Sequence, residues 1–174
     1  MILFETDRMI VQRFRLDDSE FFFQVNGNAK VMQYIRPVKS REASDAFLVE
    51  NIRFYQDGST LGRYAVFGKE NGEFLGTFSF LYMSGDADFH LGYALLPDAW
   101  GKGFATELVR EGITYFFDNR DKPAVFAITV AENIASQRVL IKSGFSYKGQ
   151  TEENGQRIEL FYINRNPGHL SIVH

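Results

Sequence analysis

The chain contains no cysteine. That excludes a disulfide scaffold, a thiolate nucleophile and any thiolate-bound metal. Histidine is nearly as scarce, and His90, His169 and His174 are spaced without support for a metal site, so no metal is expected. The prolines are few and scattered, at Pro37, Pro97, Pro123 and Pro167, and no repeat, low-complexity stretch or linker divides the chain. No apolar run approaches the roughly 20 residues that a membrane helix requires. The opening Met1-Ile2-Leu3-Phe4-Glu5 turns charged too soon for the apolar core of a secretory signal. No membrane partner is therefore expected, and a cytoplasmic location is the default reading. Positive charge is not in excess either. With 19 basic and 22 acidic residues the net charge is −3, so no global attraction to nucleic acid is expected.

What is present is bulk. Hydrophobic residues make up 45% of 174, and 18 residues are Phe, enough for one well-filled core. The expectation is a single domain over residues 1–174, with 165–174 as a flexible tail. Arg8 to Phe14 is a short β-compatible run. Asp17, three residues before Glu20, forms an Asp variant of a capping box and opens a helix through Val25. Asn26-Gly27-Asn28 breaks the chain, Ala29 to Gln33 forms a short helical piece, and Pro37 blocks its continuation. From Glu42 to Tyr55 the residues Phe47, Leu48, Ile52 and Tyr55 recur on one helical face, and Asp57-Gly58 ends that helix.

Strands follow at Arg63–Gly68, Glu73–Tyr82 and Asp86–Leu96, joined through Asn71-Gly72 and Ser84-Gly85. Ala105 to Phe117 reads as a helix with Leu108, Val109, Gly112, Ile113, Phe116 and Phe117 inward. Ala124 to Val130 is an apolar strand. Asn133 caps a helix through Lys142, with Gly144 as its stop, and two last strands flank Asn154-Gly155. A strand–helix–strand step between Leu91 and Val130 requires one parallel crossover. The fold class is thus α/β (α+β), a mixed and mostly antiparallel sheet with helices on both faces.

The chemistry-bearing feature is the turn Trp100-Gly101-Lys102-Gly103-Phe104-Ala105-Thr106, which lies between a strand and a helix. Glycines allow several N–H groups to converge, and a helix start adds unpaired donors and a positive dipole end. Lys102 can assist electrostatically. An anion site and a plain tight turn are equally open from the turn alone. A phosphate-binding P-loop is excluded, because Gly103 follows Lys102 and no glycine lies five residues before Gly101. A dinucleotide fingerprint is weak, because Thr106 occupies its third glycine position.

Together with His90-Leu91-Gly92-Tyr93-Ala94-Leu95-Leu96-Pro97 before it, and Asn133-x-x-Ser136 followed by Lys142-Ser143-Gly144-Phe145 after it, the turn resembles the GNAT acetyltransferase superfamily. Trp100-Gly101 and the opening Thr6-Asp7-Arg8-Met9-Ile10-Val11-Gln12-Arg13 resemble its ribosomal-protein N-terminal acetyltransferase branch, the RimJ/RimL-like enzymes. The usual Gln or Arg of the cofactor motif is Trp100 here.

The resemblance implies a splayed parallel pair holding acetyl-CoA as co-substrate. Backbone groups of Tyr93, Ala94, Leu95 and Leu96 would meet its pantetheine arm. Those of Trp100, Gly101, Lys102, Gly103, Phe104, Ala105 and Thr106 would meet its pyrophosphate. An N–H near Leu95 would polarise the thioester carbonyl. Asn133 and Ser136 would also contact the cofactor, although Asn133 equally serves as a plain helix cap. His90, supported by Asp88 on the same sheet face, is the candidate general base, with a solvated strand histidine as the bland alternative. Ser136 is the candidate acid, because Leu140 stands where many relatives carry Tyr. Trp100 is expected to pack, Phe21-Phe22-Phe23 to form core and acceptor-pocket wall, and Glu152 and Glu153 to form a solvated pair.

The implied acceptor is a protein N-terminal amine or a small amine, and the implied assembly a monomer or homodimer. Two other readings stay open: a module that binds acyl-CoA with little catalysis, and a nucleotide-binding enzyme using the glycine turn.

Overall fold

The computed structural model describes residues 1–56, 58–83, 88–153 and 155–166, with Glu153 described by its backbone alone. The expected Ser84-Gly85 turn, the strand start at Asp86, Asp57, Asn154, His169 and His174 lie outside the described residues.

The chain opens with a hairpin, β1 (Ile2–Glu5) and β2 (Met9–Arg13). Thr6 closes it: its N–H donates to the Met9 carbonyl and its hydroxyl oxygen accepts the Met9 N–H, both at 2.9 Å. Three helices follow, α1 (Ser19–Asn26), α2 (Ala29–Met32) and α3 (Arg41–Gln56). Next come β3 (Gly62–Gly68), β4 (Phe74–Tyr82) and β5 (Phe89–Leu95). After the glycine turn lie α4 (Phe104–Asn119), β6 (Ala124–Val130), α5 (Ile134–Lys142), β7 (Ser146–Glu153) and β8 (Gln156–Asn164). The strands form one sheet in the order β1-β2-β3-β4-β5-β6-β8-β7, antiparallel except between β5 and β6.

Alternation along β4 shows how the sheet divides two cores. Phe78 and Phe80 point to one face, where Leu108, Val109, Phe116 and Phe117 of α4 and Leu140 of α5 pack against them. Thr77 and Ser79 point to the other face. There Phe22, Val25, Val31, Met32 and Leu48 of α1–α3 cover Ala65 and Phe74. The inward set expected for α4 is buried apart from the half-buried Ile113.

Three expectations are corrected. The strand β1 was not anticipated, because only three residues separate it from β2. The reciprocal cap before α1 is not Asp17 with Glu20. Asp18 accepts the Arg15 N–H at 2.8 Å, after a short 3-10 turn, while Glu20 pairs with Arg41 at 2.6 Å. On α3 the buried positions are Ser44, Leu48, Asn51 and Tyr55, and the polar two gave no hydrophobic signal. Just past β8, the Arg165 N–H donates to the Pro123 carbonyl at 2.7 Å and its guanidinium reaches the Arg120 carbonyl.

Register between β4 and β5 hangs on Gly76, opposite Leu95, at φ +142°. A methyl group at Gly76 would stand 2.2 Å from the Ala94 carbonyl oxygen, a backbone atom that cannot swing aside. At Gly72, with φ +68° in the preceding turn, a methyl group would meet nothing within 4 Å. Gly76→Ala is therefore expected to lower unfolding stability by about 2 kcal/mol or more in urea titrations. Gly72→Ala should lose only the backbone cost of about 1 kcal/mol. Equal losses would contradict the close β4–β5 approach.

Candidate active site

The parallel pair registers at His90 and Phe126. Beyond that point β5 and β6 diverge, and Gly92–Leu95 on one side and Ala127–Val130 on the other line a cleft of about 880 Å³. Backbone groups on the inner edge of β5 thus face open space rather than a neighbouring strand, a condition buried polar groups do not sustain without a partner.

The glycine turn closes one end of this cleft. Gly101 and Gly103 have φ +71° and +80°, which reverse the chain tightly. Gly103 occupies the position before α4, and no side chain caps that helix. Its first N–H groups are left for an external acceptor, and a Cβ at Gly101 would meet nothing within 4 Å. The residues present therefore fit an anionic group at the turn and an extended polar chain along β5. Trp100 is half exposed rather than packed, and its indole N–H donates to the Leu95 carbonyl at 2.7 Å, tying the turn to the end of β5.

A clamp missed by sequence reasoning holds the turn from outside. Arg8 donates from Nε to Glu107 Oε2 at 2.6 Å and from Nη1 to the Lys102 carbonyl at 3.0 Å. Its guanidinium lies 4.3 Å from the centre of the Phe104 ring. Thr6 adds a hydroxyl bond to Glu107 Oε1 at 2.6 Å. The hydrogen bonds outweigh the desolvation of Glu107 and hold its carboxyl below the usual carboxylate range. Nothing in the spacing of Thr6, Arg8 and Glu107 could have announced this contact.

On the far wall Asn133 caps α5, its side-chain oxygen accepting the Ser136 N–H at 3.1 Å. The Ser136 hydroxyl lies 3.2 Å from that of Tyr93, which crosses the cleft from β5. Burial raises the Tyr93 phenol above its ordinary pKa, so it stays protonated and able to donate. Leu140, by contrast, is in the core.

His90, Tyr93, Ala94, Leu95, Trp100, Gly101, Gly103, Phe104, Ala105, Thr106, Asn133 and Ser136 all line the cleft. Leu96 and Lys102 do not. Leu96 packs toward the α1–α3 core, and Lys102 contributes its carbonyl to Arg8. Of the Phe21–Phe23 run, Phe22 is buried in the core and Phe21 packs against it, Phe23 lies under the Arg41 guanidinium, and the wall is made instead by Val25, Val31 and Met32. Burial, and then the charge of Arg63, pull the pKa of His90 down to about 4, and Asp88 has no part in this. Glu152 is exposed on β7. Among the described residues no group of three His, Asp or Glu side chains can hold a metal. No described helix is long and apolar enough to cross a membrane.

The family model described as "Acetyltransferase (GNAT) domain" matches residues 8–146. A protein of Bacillus subtilis (strain 168) named "Uncharacterized N-acetyltransferase YoaA" is 28% identical over 153 residues, covering 84% of both chains. Among solved structures, the RimL ribosomal L7/L12 alpha-N-protein acetyltransferase in complex with coenzyme A superposes with a TM-score of 0.79 at 18% identity. It covers 94% of this chain and 98% of that one. A spermidine N-acetyltransferase from Vibrio cholerae, in complex with CoA and spermine, gives a TM-score of 0.74 at 18% identity, over 90% and 95% of the two chains.

The clamp generates a prediction. Arg8→Ala should weaken CoA binding, measured by isothermal titration, on the order of 3- to 10-fold, with a small change in melting temperature. Unchanged affinity would show that the turn holds its shape without Arg8.

Proposed function

The chain belongs to the GNAT acetyltransferase family, and from that premise we propose that its acceptor is an α-amine, with a protein N-terminus as the leading case. The protein is an acetyl-CoA-dependent N-acetyltransferase. The observation that carries the acceptor reading is what the cleft lacks. Among its described lining residues there is no Asp or Glu, and its one histidine is a weak base.

An α-amine has a pKa of about 8, so roughly a quarter of it is neutral at pH 7.5. A lysine-like amine, with a pKa of about 10.4, is neutral to about one part in a thousand. A site without a strong base favours the first. The absence of carboxylates also gives a polyamine nothing to pair with.

In this reading acetyl-CoA lies along the open edge of β5, with its pyrophosphate against the backbone N–H groups of Gly101 to Thr106. Lys102 acts through its carbonyl and Leu96 only through its backbone. The amine enters from the α1–α2 side, past His90, already neutral. Its nitrogen bonds to the thioester carbonyl carbon, the carbon–sulfur bond breaks, and the amine's surplus proton passes to solvent. The departing sulfur is protonated through Ser136, whose hydroxyl is held and replenished by Tyr93. That pair supplies the phenol that Leu140 does not, which argues against a module that binds acyl-CoA with little catalysis.

A thiol-release assay with acetyl-CoA against free-N-terminal peptides, amino-sugars and polyamines tests the reading. Peptides should turn over fastest, and a clear preference for polyamines would overturn it. The pH profile of kcat/KM should follow the acceptor amine, rising toward pH 8, because His90 is neutral above about pH 4 and adds no limb in that range. An inflection near pH 6.5 that vanishes in His90→Ala would restore histidine as the base. Tyr93→Phe should cut kcat about 10-fold while leaving the KM for acetyl-CoA nearly unchanged. A rise in that KM alone would make Tyr93 a binding residue.

A further inference from the structure

The protein is acidic overall, yet the acceptor half of its cleft is cationic. Arg36, from the loop after α2, and Arg63, from β3, both line it. Their guanidinium carbons lie 5.2 and 4.5 Å from the centre of the Phe47 ring, and the Lys39 ammonium lies 4.6 Å from the same centre. Three cations thus crowd one ring. Arg36 makes a long hydrogen bond to Asn26 Oδ1, at 3.5 Å.

Neither arginine has a carboxylate partner among the described ion pairs. Those pairs instead engage Arg8, Arg15, Arg41 and Lys69, all at better-exposed positions. This inverts the usual economy, in which buried charge is the charge that finds a partner. Burial lowers the pKa of Arg36. Burial and then the neighbouring Arg36 pull Arg63 down to about 10. Both remain charged at neutral pH, at a cost in stability that an incoming anion would offset.

The arrangement is held rigidly. Asn51 of α3 accepts the Arg63 N–H at 2.7 Å and donates to the Arg63 carbonyl at 2.9 Å. The Tyr55 hydroxyl also reaches that carbonyl. A helix side chain therefore fixes the backbone from which the guanidinium projects. Arg63 pairs with Ser79 on β4, and Ser79 pairs with Gly92 on β5. The subsite is thus two strand spacings, about 10 Å, from the strand beside which the acetyl group must lie. An anion bound there and an amine beside β5 can therefore belong to one acceptor molecule.

We propose that Arg36 and Arg63 form an anion subsite in the acceptor half of the cleft, so that the acceptor is an amine bearing a carboxylate or phosphate a few bonds from its nitrogen. This rests on the reading of the cleft as an amine-acceptor site. An acidic peptide N-terminus and a small phosphorylated or carboxylated amine share this chemistry, and matched substrates separate them.

One arm uses free-N-terminal peptides identical except for Asp, Asn or Lys at the second and third positions. The other compares glucosamine 6-phosphate with glucosamine and 2-aminoethyl phosphate with 2-aminoethanol. In at least one arm the anionic member should have a kcat/KM about 10-fold or more above its neutral partner. Arg36→Gln and Arg63→Gln should each remove that preference and leave the KM for acetyl-CoA unchanged. Arg63→Lys should restore part of it, which also controls for misfolding. Equal or better use of the neutral and lysine-bearing members overturns the subsite, as does a preference that survives both glutamine variants.

If no amine in either arm is acetylated, the acceptor reading fails. The subsite is then judged by titrating the same peptides and phosphorylated amines into the CoA-saturated protein. Binding that is lost in both glutamine variants upholds an anion site. Absent binding, or binding indifferent to them, overturns it.

Discussion

The structure depends on two parallel strands that meet and then part. Antiparallel neighbours would have to remain paired or curl, but β5 and β6 are joined through α4 and can touch at His90 and Phe126 and then separate. The separation leaves backbone donors and acceptors on β5 facing a cleft rather than a strand. It also aims the uncapped start of α4 into one end of that cleft and the start of α5 at its wall. Everything else secures this geometry. Gly76 brings β4 hard against β5, Trp100 ties the turn to the strand end, and Arg8 braces the turn from behind.

Charge is distributed with the same logic. Glu5, Glu20, Asp45 and Glu107 pair with exposed arginines and lysines, and no acid stands in the described lining of the cleft. A carboxylate there would compete with the phosphates and thioester of the co-substrate for the same donors. The described lining of the cleft thus combines a histidine of lowered pKa, a protonated phenol and two arginines that make none of the described ion pairs.

Much of this was legible in the residues and some was not. The two glycines, the strand before them and the amphipathic helix after them stand close in sequence, so local rules sufficed. The parallel step and the two-sided sheet followed from element order. The cap at Asn133 and its relation to Ser136 lie within one turn. What was missed is of one kind: contacts between distant segments. The pairing of Tyr93 with Ser136, the Asn51 bond to the Arg63 backbone, and the lowering of the His90 pKa by burial and then by Arg63 each join elements that only the folded sheet brings together. Asp88 looked like a partner for His90 by alternation. Alternation reports the face of a strand, however, and not what is packed upon it. The strand β1 was overlooked because four residues carry too little pattern to be told from an irregular lead-in.

The bond between Arg8 and Glu107 spans 99 residues of chain. A loop of that length is slow to close, and its ends gain nothing from each other until the sheet between them has formed. Arg8 and Glu107 therefore meet only once the strands between them have paired. The bracing of the glycine turn is thus a property of the assembled sheet rather than of the turn's own residues.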